Sequence, residues 1–108
     1  MHLPILTLCL SLPAAWAQAE IFTVDYTCAD NRTLQAAFIN EGEANYAVLL
    51  DADRLVPMTI AQSGSGARYL SEDGKLELWT KGPEATLRRV GDEEVTLYQD
   101  CQEAPAAE

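Results

Sequence analysis

Histidine and free cysteine are nearly absent from this 108-residue chain. The only histidine is His2, and the three cysteines are Cys9, Cys28 and Cys101. Beyond the apolar N-terminal segment the chain has no imidazole and, once its last two cysteines are paired, no thiolate. Ser-His and Cys-His nucleophilic catalysis and the usual zinc ligand sets are then excluded. The 17 carboxylates show no spacing that marks a catalytic pair. We predict a protein that is not an enzyme and has no metal or cofactor.

Basic residues are also scarce. Seven lysines and arginines stand against 17 aspartates and glutamates, which gives a formal net charge of −10. All of these residues lie after position 17, so the charge belongs to the part that follows the apolar segment. It disfavours binding to nucleic acid or to anionic membranes. It favours association with a basic protein by speeding encounter at low salt, although solubility alone would explain it as well.

The N-terminal segment, residues 1–17, is an apolar run that closes with an alanine-tryptophan-alanine tripeptide at Ala17. A run of this length before a small-x-small tripeptide predicts a secretory signal peptide, cleaved after Ala17 and too short to span a bilayer. Leu8 precedes Cys9, where a lipoprotein would need a small residue, so no lipid anchor is expected. We predict a periplasmic protein whose mature chain is residues 18–108.

The two cysteines of the mature chain, Cys28 and Cys101, lie near its ends. An even pair in an exported domain predicts a disulfide. Closing a loop of this size removes on the order of 4 kcal/mol of unfolded-state entropy. That is a large share of the stability of a small domain.

Hydrophobic residues recur with period two along the mature chain, which predicts strands and not helices. Eight short runs are separated by turn clusters: 21–28, 34–38, 46–50, 55–60, 68–70, 76–79, 85–89 and 95–98. The run at 34–38 is the weakest, because alanines dilute it. The spacing fits a sandwich or a closed barrel, and closure removes exposed edges. We predict an all-β fold, a small antiparallel eight-stranded barrel stapled by one disulfide. Pro57 must lie at a strand end, an edge or a bulge, and a frayed tail is expected from about residue 103.

Two glycine-containing loops carry polar residues that could contact a partner. Residues 63–69 read Ser-Gly-Ser-Gly-Ala-Arg-Tyr, and Lys81 stands directly before Gly82 and a proline. The first segment also fits an ordinary hairpin connection, and Lys81 an ordinary surface lysine. A phosphate-binding loop is disfavoured, because a strand and not a helix follows the glycines.

Four short elements spread over the mature chain occur together in one known family: Ser65-Gly66-x-x-Tyr69, Trp79-Thr80-Lys81-Gly82 followed by Glu84-Ala85, Tyr26-x-Cys28, and Cys101 with an acidic, proline-containing tail. Their combination resembles the bacterial C-type lysozyme inhibitors, the MliC/PliC group of exported proteins. The resemblance implies an eight-stranded barrel that plugs the active-site cleft of a C-type lysozyme. No lipid-attachment cysteine is present, so the chain looks like the periplasmic subgroup.

The resemblance also implies roles for individual residues. The motif serine and lysine, here Ser65 and Lys81, would contact the two catalytic carboxylates of the enzyme. The other expected partner-binding residues support the two loops: Tyr69 would hold the first loop with Gly66, Thr80 and Gly82 would shape the second, and Arg68 would help at the rim. One position departs from the family pattern, because Leu76 replaces an aromatic residue four places before the motif threonine. This change concerns the packing beneath the lysine loop.

A serine hydroxyl and a lysine ammonium are also chemically suited to the active site of a glycosidase. A retaining glycosidase holds one protonated and one ionised carboxyl group about 5–5.5 Å apart. A serine hydroxyl can donate to one and accept from the other, and an ammonium complements the ionised one. Two other classes of function stay open. An exported barrel could carry an apolar small molecule, although about ninety residues make a filled interior more natural. A carboxylate-dependent hydrolase of cell-wall sugars is the third.

Overall fold

The computed structural model describes residues 19–104 and shows a closed antiparallel barrel of eight strands, each paired with its neighbours in the sequence. The strands are β1 Glu20–Thr27, β2 Thr33–Glu41, β3 Ala44–Asp51, β4 Arg54–Ala61, β5 Ala67–Ser71, β6 Leu76–Lys81, β7 Glu84–Arg89 and β8 Val95–Glu103. A single turn of 3-10 helix, Ala29–Asn31, joins β1 to β2. The predicted barrel is confirmed. The predicted signal peptide lies outside the described residues.

Alternation of apolar and polar residues builds the core, because successive side chains on a strand point to opposite faces. In β2, the run predicted with least support, Leu34, Ala36 and Phe38 all face inward and are buried. Leu49, Leu78 and Leu87 are fully buried at the centre. The barrel interior is thus filled by side chains, as expected for a small eight-stranded barrel.

The seam between the first and last strands is the shortest ladder of the barrel. β1 and β8 share two residue pairs, Tyr26 with Glu103 and Thr27 with Gln102, whereas β1 and β2 share eight. The disulfide between Cys28 and Cys101 closes this seam and confirms the predicted pairing. The covalent link therefore reinforces the barrel where the ladder has only two residue pairs.

The C-terminal end of β8 is more ordered than a tail beginning at about 103 would be. Glu103 is the last residue of β8, and the amide of Ala104 donates to the carbonyl oxygen of Asp25 at 2.8 Å. The tail expected from about residue 103 therefore begins no earlier than Ala104, and the rest of it lies outside the described residues. No helix within the described part of the chain is long and apolar enough to cross a bilayer.

Pro57 lies inside β4 and not at its end, opposite Val48 of β3. The ladder between β4 and β5 begins only at Met58. Pro57 is therefore paired on one side alone, which makes it a local edge inside a closed barrel. This satisfies the rule that proline avoids positions that must donate on both sides of a sheet.

The up-and-down connectivity brings alternate connections to the same end of the barrel. The β2–β3, β4–β5 and β6–β7 connections lie at one end, which we call the loop end. The β1–β2, β3–β4, β5–β6 and β7–β8 connections lie at the opposite end. Ser65 and Lys81 thus share the loop end, on connections that flank the paired strands β5 and β6.

Candidate protein-binding site

Residues 62–66, here called the serine loop, join β4 to β5 at the loop end. Ser65 is exposed, and the carbonyl oxygen of its peptide accepts two hydrogen bonds. One comes from the hydroxyl of Ser63 at 2.6 Å and the other from the indole Nε1 of Trp79 at 3.1 Å. Within residues 19–104, no hydrogen bond engages the hydroxyl of Ser65 itself. The backbone of the loop is held while its polar head faces solvent.

Gly66 follows Ser65 at the point where the loop meets the neighbouring strand. Its φ is +68°, a conformation that side-chain-bearing residues rarely adopt. A Cβ at this position would overlap the carbonyl oxygen of Thr80 and approach two ring carbons of Trp79 to 3.2 Å. Glycine is therefore required here both for backbone conformation and for close approach to β6.

Arg68 faces the outside of the barrel and is engaged within the protein. Its Nε donates to Oε2 of Glu77 at 2.6 Å, and its Nη1 donates to the carbonyl oxygen of Gln62 at 3.2 Å. Glu77 is 7% exposed and also accepts from Arg88 at 3.2 Å. Arg68 thus ties the start of the serine loop to β6. The rim contact expected from the family resemblance would compete with these bonds.

Residues 81–84, here called the lysine hairpin, join β6 to β7 through the two-residue turn Gly82-Pro83. Gly82 has a φ of +56°, a left-handed value that glycine adopts without steric cost. The carbonyl oxygen of Pro83 accepts the amide of Glu103 at 2.8 Å, so the turn is bound to the end of β8. Lys81 is exposed, and none of the ion pairs among residues 19–104 involves it. Its ammonium is available to an anionic partner.

A small mouth cavity of about 130 Å³ opens beside the lysine hairpin. Its lining includes Tyr26, Tyr69, Thr80 and Gly82. Burial, and then the nearby Glu103 carboxylate, raise the pKa of Tyr26 to about 12, and burial also raises the pKa of Tyr69. Both phenols stay neutral at physiological pH. The cavity is smaller than the ~300–1,000 Å³ typical of small-molecule sites, so it gives the carrier hypothesis no support.

Two of the expected supporting positions have well-defined surroundings in the structure. Tyr69 is 6% exposed and packs against Phe38 with ring centroids 5.6 Å apart, so it anchors β5, the strand into which the serine loop leads. Leu76 pairs with Arg89 at the start of β6. Five residues of extended strand, about 16 Å, separate it from Lys81. The packing change expected beneath the lysine loop therefore lies at the opposite end of the barrel, where Leu76 is partly buried against the core.

Trp79 donates a hydrogen bond to the serine loop, a contact that the sequence patterns did not indicate. The structure places Trp79 half-buried on the outer face of β6, opposite Arg68. One signal could have found it. Leu78 alternates with Glu77 and Trp79, so an inward Leu78 puts Trp79 on the same outer face as the polar Glu77.

Comparison with known proteins identifies the chain. Residues 26–96 match a family described as the membrane-bound lysozyme inhibitor of c-type lysozyme, MliC. The chain belongs to the MliC family. The matched span runs from the Tyr26 motif past both loops. The family is one of inhibitors, which act by binding and not by catalysis.

Two curated relatives share this description. The chain is 33% identical over 88 residues to the membrane-bound lysozyme inhibitor of C-type lysozyme from Cupriavidus necator, covering 80% of this chain and 69% of the relative. It is 35% identical over 79 residues to the protein of the same name from Pseudomonas aeruginosa, covering 72% of this chain and 60% of that one. The relatives are thus longer than the part that matches.

Two solved structures share the fold. PliC-St, the periplasmic lysozyme inhibitor of C-type lysozyme from Salmonella typhimurium, superposes with a TM-score of 0.70 at 29% identity, covering 80% of this chain and all of that one. Pseudomonas aeruginosa MliC, solved in complex with hen egg white lysozyme, has a TM-score of 0.64 at 30% identity, covering 94% of this chain and 99% of that one.

Proposed function

We propose that the protein inhibits C-type lysozymes by inserting Ser65 and Lys81 into the active-site cleft. The observation that carries the proposal is the exposure of both polar heads on adjacent loops at one end of a barrel of the MliC family. The β5–β6 ladder, with Ala67 opposite Thr80, fixes the two loops side by side. The complex of a 30%-identical relative with hen egg white lysozyme supports the choice of partner.

The chemistry of the two heads suits a pair of carboxyl groups in different protonation states. The hydroxyl of Ser65 can donate to an ionised oxygen or accept from a protonated one. The ammonium of Lys81 offers three donors and a full positive charge to the ionised carboxylate. Inside a cleft that excludes water, each charge-assisted hydrogen bond contributes roughly 1.5–3 kcal/mol net.

The net charge of the chain supports recognition of a basic partner. The formal charge of −10 draws a cationic protein toward the barrel and speeds encounter at low salt. Lys81 then makes the specific contact with the ionised carboxylate, although the chain as a whole is acidic. Apolar and shape contacts around the loops supply the remaining affinity, over an interface of roughly standard size.

The test is a lysis assay in which the oxidised chain from Gln18 is titrated against a C-type lysozyme acting on a peptidoglycan suspension. Inhibition that saturates near equimolar is the expected result. A folded, disulfide-bonded sample that fails to inhibit would overturn the proposed function.

Two substitutions test the assigned residues. Lys81→Ala should weaken inhibition about ten- to a hundredfold, because a charge-assisted contact is lost. Ser65→Ala should cost at least about 1 kcal/mol of binding. Lys75 is an exposed lysine in the β5–β6 connection, at the opposite end of the barrel, so Lys75→Ala is a matched control and should inhibit normally. Full inhibition by both loop variants would place the contacts elsewhere.

We also propose that the protein is exported to the periplasm, with residues 1–17 removed as a signal peptide. The apolar run and the tripeptide ending at Ala17 support this, as do relatives named periplasmic or membrane-bound. Mass spectrometry of the protein recovered from the periplasm should give an N-terminus at Gln18. Retention of Met1 would contradict it.

A further inference from the structure

We infer that Trp79 and Glu77, two residues on the outer face of β6, position Ser65 for its partner before the partner arrives. The inference rests on the proposed function, because it concerns the shape in which the serine loop meets lysozyme. Trp79 belongs to the second motif but has no expected contact role in it, Glu77 lies outside the motifs, and neither is required to touch the enzyme. Each acts through the backbone of the serine loop.

Trp79 acts at the tip of the serine loop. Its indole donates to the carbonyl oxygen of Ser65 at 3.1 Å, and its ring lies so close to Gly66 that an added Cβ would approach it to 3.2 Å. The hydrogen bond fixes the peptide that follows Ser65, and the ring blocks the loop from collapsing onto β6. The hydroxyl of Ser65 is left facing outward.

Glu77 acts at the start of the serine loop, through Arg68. Its carboxylate binds Arg68 at 2.6 Å and Arg88 at 3.2 Å, and Arg68 in turn donates to the carbonyl oxygen of Gln62 at 3.2 Å. Arg88 also binds Glu94 at 2.6 Å, so the ion-pair network extends to the connection before β8. The serine loop is therefore held at Gln62 by Arg68 and at Ser65 by Trp79, two side chains on the outer face of the β5–β6 ladder.

Stability alone is a weak explanation for this arrangement. Ion pairs with partly exposed arginines contribute little to the free energy of unfolding. For a nearly buried carboxylate, the desolvation penalty can exceed what its ion pairs contribute. What two arginines around one carboxylate do provide is fixed geometry. Fixed geometry in a binding loop lowers the entropy lost when the partner binds.

Positioning and direct contact predict different kinetics. A loosened loop is competent to bind only part of the time, so the apparent affinity falls by that fraction. The loss then appears as slower association, with dissociation nearly unchanged. Removal of a contact made in the complex instead speeds dissociation.

The experiment measures association and dissociation rates of the oxidised protein with a C-type lysozyme for Trp79→Phe and Glu77→Gln. Trp79→Phe removes the indole donor and keeps a smaller aromatic ring on the outer face of β6. We expect both variants to associate about three- to tenfold more slowly, the range of one lost hydrogen bond, and to dissociate within about twofold of the parent. Faster dissociation with unchanged association would make Trp79 a contact residue and overturn the inference.

Arg32 provides a matched control at the opposite end of the barrel. It donates to the carbonyl oxygen of Leu97 at 2.7 Å and lies 3.8 Å above the ring of Tyr98, so it is also a side chain that anchors backbone. Arg32→Gln should leave both rate constants unchanged. Equal slowing by Arg32→Gln and Trp79→Phe would show a general loss of structure, which contradicts positioning.

A measurement on the free protein separates this inference from the proposed function. Backbone ¹⁵N relaxation should show larger motion of the amides of residues 63–66 in both β6 variants than in the parent. Unchanged amide motion would overturn the positioning role whatever the binding result. Failure of the parent to bind lysozyme would overturn the proposed function while the amide data still report whether the loop is held.

Discussion

Five residues separate β4 from β5 in the serine loop, whereas two residues separate β6 from β7 in the lysine hairpin. The longer connection has no strand pairing of its own and is held by side chains, through Trp79 and Arg68. The shorter one is held by backbone, through its tight turn and the hydrogen bond from Glu103 to Pro83. A two-residue turn is set by the strands that flank it. A longer loop needs side chains from outside to select one shape.

Loss of the disulfide should have the largest effect on stability, and it should affect the lysine hairpin more than the serine loop. Replacing Cys28 and Cys101 by serine should lower the free energy of unfolding by about 4 kcal/mol, because the bridge spans 73 residues. Cys101 lies two residues before Glu103, so the lysine hairpin should loosen first. Hydrogen exchange checks this: protection of the Glu103 amide should fall more than that of the Trp79 indole. Equal losses would show that the two supports are not independent.

A smaller effect should distinguish the two motif glycines. Gly66→Ala and Gly82→Ala introduce the same methyl group at similar φ values, +68° and +56°. The added Cβ overlaps the Thr80 carbonyl oxygen at Gly66 and meets nothing within 4 Å at Gly82. The backbone strain of about 1–2 kcal/mol applies to both. The overlap applies to Gly66 alone.

We therefore expect Gly66→Ala to lower the free energy of unfolding by more than about 2 kcal/mol and to impair lysozyme inhibition strongly. Gly82→Ala should show only the strain, so it should impair inhibition less than Gly66→Ala. Urea unfolding and the lysis assay measure both quantities. Matching losses for the two variants would mean that close approach to β6 does not shape the serine loop.

The smallest effect concerns the phenol beneath the lysine hairpin. The pKa of Tyr26 is raised from 10.0 to about 12 in the folded protein, chiefly by burial. A folded pKa above the unfolded one means that this contribution to stability is intact below pH 10 and is lost as the pH rises towards 12. At pH 11 the loss is on the order of 1 kcal/mol.

Urea unfolding at pH 8 and pH 11 tests this, with Tyr26→Phe as the comparison. The variant has no phenol to ionise at this position, so between the two pH values it should lose on the order of 1 kcal/mol less stability than the parent. Tyr69 remains in both proteins and contributes equally to each. An identical pH dependence would place the alkaline sensitivity at other groups.

The period-two pattern predicted the eight strands, and the even pair of cysteines predicted the disulfide, because alternation and cysteine count are readable from the sequence. The pattern fitted a sandwich as well as a barrel, and closure was favoured because it removes exposed edges. The two loop motifs likewise placed Ser65 and Lys81 on turns, since glycine and proline mark turns locally. The exact end of β8 was not readable from local spacing. Pairing of β8 with the seam depends on residues more than seventy positions away.

What only the tertiary structure decided is which side chains support the serine loop. Arg68 binds Glu77 because the β5–β6 ladder sets their strands side by side, and Trp79 reaches Ser65 across the same ladder. Leu76, four residues before Thr80, proved to lie at the far end of the barrel because β6 is extended. Cross-strand neighbours follow from register, and register is selected by the whole barrel and not by any one segment.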